Sequence, residues 1–260
     1  MILKQFSVDI TSIITNGLVG YWKMNDNNAT TIVKDYSGQG NDGTFNDATG
    51  DPNTSAHHTS GHGNIPSDGA LEFDGVDDYV DAGNSQSLNP EYNNFSLSMW
   101  VKVYLTSGCQ GVITKDCKSA YGIYYTQPSN QLGLYIQSGS NANRININSY
   151  YNQWIHVLWT VDNDNNIQKS YINGIFNVQT NYAVGNITSI FPLNFGRYTS
   201  SGTGYFNGSL DEVMIFNRLL SEDEISTLYD ANKYRFSTIK RSKNNFNFTT
   251  NKNNIIIKEA

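Results

Sequence analysis

Residues 94–105 read NFSLSMWVKVYL, and in them Phe95, Leu97, Met99 and Val101 alternate with Ser96, Ser98, Trp100 and Lys102. An extended chain sends successive side chains to opposite faces, so a period of two sets one apolar row against a core and turns the other row outward. A helix would need its apolar positions three or four residues apart. The stretch therefore reads as a half-buried strand. Outward from it, further strands are expected at 17–24 (GLVGYWKM), 111–115, 121–126, 131–137, 143–147, 153–162, 167–172, 191–197 and 204–217. ALEFDGVDDYVDAG, starting at Ala70, adds two more around a D-G turn. Many short strands with few helical stretches specify an all-β sandwich or barrel.

Composition agrees with this reading. The 260 residues are 38% hydrophobic and only 15% charged, with 22 Gly, 17 Tyr and 35 Asn. Gly, Asn, Ser and Thr suit tight turns, while the aromatic and β-branched content excludes disorder throughout. A chain of this length buries a sizeable core, and one sandwich takes up most of it. The net charge of −6 offers no basic face before the last thirty residues, so nucleic acid is not an expected partner. No apolar run is long enough to span a bilayer. The opening MILKQFSVDITSIITNG has its apolar residues interrupted by Ser7, Asp9, Thr11 and Ser12, and carries no recognisable signal peptide. Cys109 and Cys117 flank QGVITKD; a short turn between two strands would allow a disulfide, and two free thiols fit equally well.

One helix is expected. Ser221 and Glu224 form an S-x-x-E capping box, and Ile225, Leu228 and Tyr229 then share a face over two to three turns. The chain divides into an N-terminal arm (1–16), a sandwich (17–232) and a basic, Asn-rich C-terminal arm (233–260).

Six motifs in order carry a resemblance to a known family. GLVGYWKMN opens the series, and KDYSGQGNDGTF follows a D-x-S-G-x-x-N-x-G pattern. GALEFDGVDDYVDAG, FSLSMWVK and the hairpin QWIHVLWTVDNDNNIQKSYINGI come next, and GSLDEVMIFNRLLSEDEISTLYD closes it. Together they resemble the laminin-G-like jelly-roll domain of the concanavalin A-like lectin/glucanase superfamily across roughly residues 17–230. The resemblance implies a two-sheet antiparallel jelly roll used mainly in carbohydrate or protein binding. It also implies an extracellular setting, which contrasts with the missing signal peptide.

Four residues are candidates for one structural calcium ion: Asp35, Asn41 and Gly43 in the Gly-rich turn, and Asp211, which the resemblance adds. A hard cation takes carboxylate and carbonyl oxygens together, while the simpler alternative for Asp35 is an Asx turn. The acids Glu72, Asp74, Asp77, Asp78 and Asp81 straddle the D-G turn and do not line up as a glycosidase pair. Asp211 and Glu212, being adjacent in a strand, are expected on opposite faces. His57, His58 and His62 read as members of a solvated loop, since a zinc site would need a fourth ligand. For ligand binding the candidates are Tyr121, Tyr124, Arg144, Arg197 and Tyr198, because rings with polar tips stack on sugar faces while guanidinium groups bond hydroxyls.

The expected function is a non-catalytic binding or adhesion module for a glycan or cell-surface receptor. Its expected setting is extracellular or the surface of a virus or phage particle, where the terminal arms would engage other virion proteins or further copies of the chain. Particle display reconciles the fold with the missing signal peptide. The alternative is a glycoside hydrolase of the same superfamily.

Overall fold

The computed structural model describes residues 13, 15–26, 30–46, 58–62, 69–91, 93–105, 107–116, 120–137, 143–182, 187–198, 204–234, 246–251 and 254–259. Sixteen strands build two sheets. In chain order they are β1 Leu18–Trp22, β2 Ile32–Val33, β3 Gly43–Asn46, β4 His58–Ser60, β5 Gly69–Asp74, β6 Tyr79–Asp81, β7 Phe95–Val103 and β8 Cys109–Thr114. They continue as β9 Tyr121–Thr126, β10 Gln131–Ile136, β11 Asn143–Asn146, β12 Ile155–Asp162, β13 Ile167–Ile172, β14 Ile175–Asn181, β15 Asn194–Phe195 and β16 Asn207–Phe216. Sheet I runs β14-β13-β12-β7-β16-β5-β4, with β1 also on β16, and sheet II runs β11-β10-β9-β8-β15-β6-β3-β2. The strand pairings among the described residues are antiparallel, in line with the expected sandwich.

The inward rows of the two sheets make one core. Leu97, Met99 and Val101 of β7 and Val157, Trp159 and Val161 of β12 meet Ile123 and Tyr125 of β9 and Leu132 and Leu134 of β10. Apolar area removed from water is the main favourable term in this arrangement, at about 25 cal/mol per Å².

The outward row of sheet I is covered as well. Helix α1, Glu222–Tyr234, lays Ile225 and Leu228 on Leu158, Tyr171, Met214 and Phe216. Consequently β7 is buried on both faces rather than on one, and Ser96 and Ser98 lie inside. Ser96 has partners there: its hydroxyl donates to the Arg218 carbonyl at 2.8 Å and accepts from the Leu220 amide at 3.0 Å. The capping box is reciprocal, with the Glu224 amide donating to Ser221 Oγ at 3.2 Å and the Ser221 amide to Glu224 Oε2 at 2.8 Å. Arg218 grips both Glu224 oxygens, at 2.8 and 2.9 Å, and holds that carboxyl below its ordinary range. At 13 residues α1 outruns the two to three turns expected, since STLYDANKY contains no Gly or Pro to stop it.

Strand β16 breaks the expected alternation. It pairs with β5 over Asn207–Leu210 and with β1 over Val213–Phe216, and its register against β7 slips between Asp211 and Met214. Glu212 carries the extra residue at φ 48, the mark of a β-bulge. Leu210, Val213 and Ile215 all face the main core, so Asp211 and Glu212 are both turned away from it. The opposite-face expectation is corrected on that ground.

Strand β4 lies inside the stretch read as a loop, and β14 was not read as a strand. In the C-terminal segment β17 Phe246–Asn251 and β18 Asn254–Glu259 pair with each other as a separate two-stranded sheet. Residues 1–12 and Cys117 lie outside the described residues.

Candidate functional site

The outer face of sheet II gathers tyrosine and arginine side chains. Tyr124 of β9 lies in register with Gly111 of β8 on one side and Gly133 of β10 on the other, and Gly133 in turn faces Arg144 of β11. A glycine at position 111 is required, because a Cβ there would stand 2.4 Å from the Arg197 carbonyl. The backbone of residues 197–198 thus crosses the sheet at Gly111 and lays Tyr198 on Tyr124, ring centroids 4.7 Å apart and 29° from parallel. Tyr135 meets Tyr124 edge-on at 5.4 Å. The strip is flanked by cations. Arg144 sits 5.7 Å from the Tyr135 ring, and Arg197 stacks 3.3 Å over Tyr79 while its Nε donates to Asn194 Oδ1 at 3.2 Å.

Within this strip Tyr124 is buried beneath its neighbours, Tyr79, Tyr135, Arg197 and Tyr198 are half-buried, and Arg144 is exposed. Four of the five expected ligand residues, Tyr124, Arg144, Arg197 and Tyr198, are therefore on this face. Tyr121 is not. It points into the core, fully buried, donates to the Leu88 carbonyl at 3.2 Å, and burial pushes its phenol upward. Tyr79 and Tyr135 complete the strip; strand parity counted through the Gln127–Asn130 turn places Tyr124 and Tyr135 on one face.

The calcium candidates are arranged differently. Asp35 Oδ1 accepts from the Tyr21 and Ser37 amides, both at 2.9 Å, while Oδ2 accepts from Ser37 Oγ at 2.7 Å and the Asn41 amide at 2.9 Å. A carboxylate offers about four lone-pair sites, and here the turn takes all of them. The Asn41 carbonyl accepts from Trp22 Nε1, the Asn41 amide group donates to Val19 O and Ser87 Oγ, and Gly43 starts β3. Asp211 is held by His62. This donor set does not fit a calcium ion without breaking the turn. Among the described residues the three side chains placed to share an ion are Asp74, Asp77 and Asp78, of which Asp74 and Asp78 also cap backbone amides in their own turn.

Beneath α1 lies a polar cluster that the sequence does not announce. His62 is buried rather than solvated: its Nδ1 lies 2.7 Å from Asp211 Oδ2, its amide donates to the same oxygen at 3.0 Å, and its ring stacks on Trp100 at 4.2 Å. Across the sheet His156 Nε2 is 2.8 Å from Ser98 Oγ, and Tyr229 of α1 packs on both Trp100 and His156. Glu212 accepts from the Tyr21 hydroxyl. Asp–His and His–Ser pairs are parts that hydrolases use. Here Ser98, His156, Asp211 and Glu212 are each at most 1% exposed, and desolvation with the nearby His62 charge drives His156 down to about 3. These groups are shut off from solvent, and Tyr229 of α1 packs over them.

A laminin-G-type family model, described as the concanavalin A-like lectin/glucanases superfamily, matches residues 74–226. The chain belongs to that superfamily. No curated protein sequence matches the chain. Solved structures share the superfamily's fold at low identity. The binding domain of Paraclostridial Mosquitocidal Protein 1 is similar with a TM-score of 0.63 and 18% identity, over 84% of this chain and 53% of that one. A botulinum neurotoxin type C structure, whose cell entry is described as dependent on two ganglioside molecules, is similar at 0.61 and 18%, over 86% and 53%. The binding domain of botulinum neurotoxin DC, solved with rat synaptotagmin II, is similar at 0.60 and 19%, over 85% and 53%. The chain spans about half the length of these structures. No helix among the described residues is long and apolar enough to cross a membrane.

Proposed function

We propose that the protein is a non-catalytic binding module whose outer sheet II face takes a glycan or cell-surface receptor. The observation carrying this reading is the strip Tyr79, Arg197, Tyr198, Tyr124, Tyr135 and Arg144. Half-buried rings offer flat apolar faces to a sugar, and two guanidinium groups at its ends favour ligands bearing a carboxylate, which arginine holds bidentately. Superfamily membership and the ganglioside- and receptor-binding neighbours support the same class of function. The test is binding of the purified protein to an array containing sialylated and neutral glycans, followed by titration of the best ligand against Tyr198→Ala and Arg144→Ala. Each substitution should weaken binding at least tenfold with the melting temperature unchanged. Undiminished binding in both would overturn the assignment of this face.

For context we propose display on a virus or phage particle. Its support is charge separation: residues 233–260 hold seven basic residues and one acid, leaving ten basic and 22 acidic residues in 1–232. A basic segment of that kind suits contact with an acidic neighbour, a second sandwich included. Removing residues 235–260 should leave the melting transition intact and abolish assembly into particles; unchanged assembly would sink this context.

A further inference from the structure

A cleft of about 670 Å³ opens where β1 begins and β16 ends, beside residues 86–91 and 93 and away from the tyrosine strip. Its volume lies in the range of small-ligand sites. Five amides, Gln39, Gln86, Asn89, Asn93 and Asn217, line it together with the carboxylate of Glu91 and two hydroxyl residues.

Much of their bonding capacity is left open toward the cleft. Gln86 donates to Glu91 Oε1 at 2.5 Å, leaving its own Oε1 and Glu91 Oε2 as acceptors. Asn89 Oδ1 accepts from the Ser189 amide at 3.2 Å, leaving the Asn89 amino group as donor, and Asn93 donates to the Pro90 carbonyl at 3.0 Å, leaving its Oδ1. Gln39 and Asn217, both exposed, keep their side-chain amides whole. Gly17, at φ +74, makes room for one of them, since a Cβ there would stand 2.7 Å from Asn217 Oδ1.

The site is also held in shape. Glu91 sits at φ 56, in the left-handed region that non-glycine residues seldom adopt, and two backbone bonds with Ile187, at 3.1 and 2.9 Å, fix it there. Pro90, half-buried, supplies apolar surface between the amides.

We infer that this cleft is a second binding site, for a neutral oligosaccharide. An amide places a donor and an acceptor side by side, matching the paired hydroxyls of a sugar ring, and a fixed carboxylate accepts from one more. None of the described residues lining the cleft is a cation, so an anionic ligand would meet the repulsion of Glu91 without a compensating charge from them. The inference stands apart from the sheet II reading, whose arginines favour acidic ligands.

The experiment uses the full chain and a panel of neutral probes: cellotetraose, maltotetraose, mannotriose, chitotriose and N-acetyllactosamine. Saturation-transfer NMR identifies the binder, and calorimetry measures its affinity in the parent and in Gln39→Leu, Asn217→Leu and Tyr198→Ala. Both leucine substitutions are at exposed positions and should leave the melting temperature in place. At least one probe should bind, each leucine variant should lose tenfold or more, and Tyr198→Ala should bind like the parent. Failure of every probe, affinity within twofold in both leucine variants, or loss confined to Tyr198→Ala would overturn the inference.

Discussion

His156 shows how one side chain sets a pH limit. It is buried against Trp100, Tyr229 and Ser98, and with His62 nearby it is held at about 3, against an ordinary value near 6.5. The unfolded chain therefore binds one more proton than the folded chain between pH 6.5 and 3, so the stability contributed by neutral His156 is lost as pH falls through that window. Urea midpoints should decline from pH 7 to pH 4, and His156→Gln should flatten part of the decline; an equal slope in both proteins would count against the assignment. At this scale the sequence was uneven as a guide. Tyr124 and Arg144 reach one face from neighbouring strands, Arg197 and Tyr198 join them where the backbone crosses the sheet at Gly111, and the WIHVLW stretch reads as strand. Tyr121 shares its strand with Tyr124 but lies three positions away, on the other parity, and composition alone does not sort the two. His62 pairs with Asp211, 149 residues on, and no local pattern encodes such a partnership.

Elements were more legible than residues, because caps and periodicity are local. Strands β9 and β13 match their expected bounds, and the S-x-x-E box is formed by the atoms it names. Replacing Ser221 with Ala removes the hydroxyl that receives the Glu224 amide, which should cost about 1 kcal/mol. A denaturant midpoint unchanged within error would show that the Arg218–Glu224 pair suffices to start α1. The misses have physical causes. β14, IFNVQTN, is exposed at nearly every position and shows no inward row to betray it. The β16 bulge adds one residue to a strand, and alternation counted from either end fails at Asp211–Glu212. The double burial of β7 depends on α1 folding back over sheet I, which a single strand's pattern does not carry.

Across the whole molecule, six ordered motifs were enough to predict the two-sheet jelly roll, since each marks a turn or strand edge that the architecture needs. The metal reading did not gain from that order: the turn around Asp35 is closed by hydrogen bonds within the chain. Melting curves with calcium and with a chelator should therefore superimpose. A loss of several degrees on chelation, the size expected when a site is held at a hundred times its dissociation constant, that Asp35→Ala abolishes and Asp74→Ala leaves in place would mean that Asp35 trades its amide partners for an ion.

The partner switch along β16 also has a consequence in time. Tyr21 finds Glu212, 191 positions further on, and among the described residues β16 is the strand that β1 pairs with in its sheet. A ribosome adding residues one after another releases Leu18–Trp22 long before Val213–Phe216 exists. A strand made before most of the sandwich is thus among the last to be seated, the two sheets close only after nearly the whole jelly roll has emerged, and folding is expected on the millisecond-to-second scale of chains ruled by distant contacts.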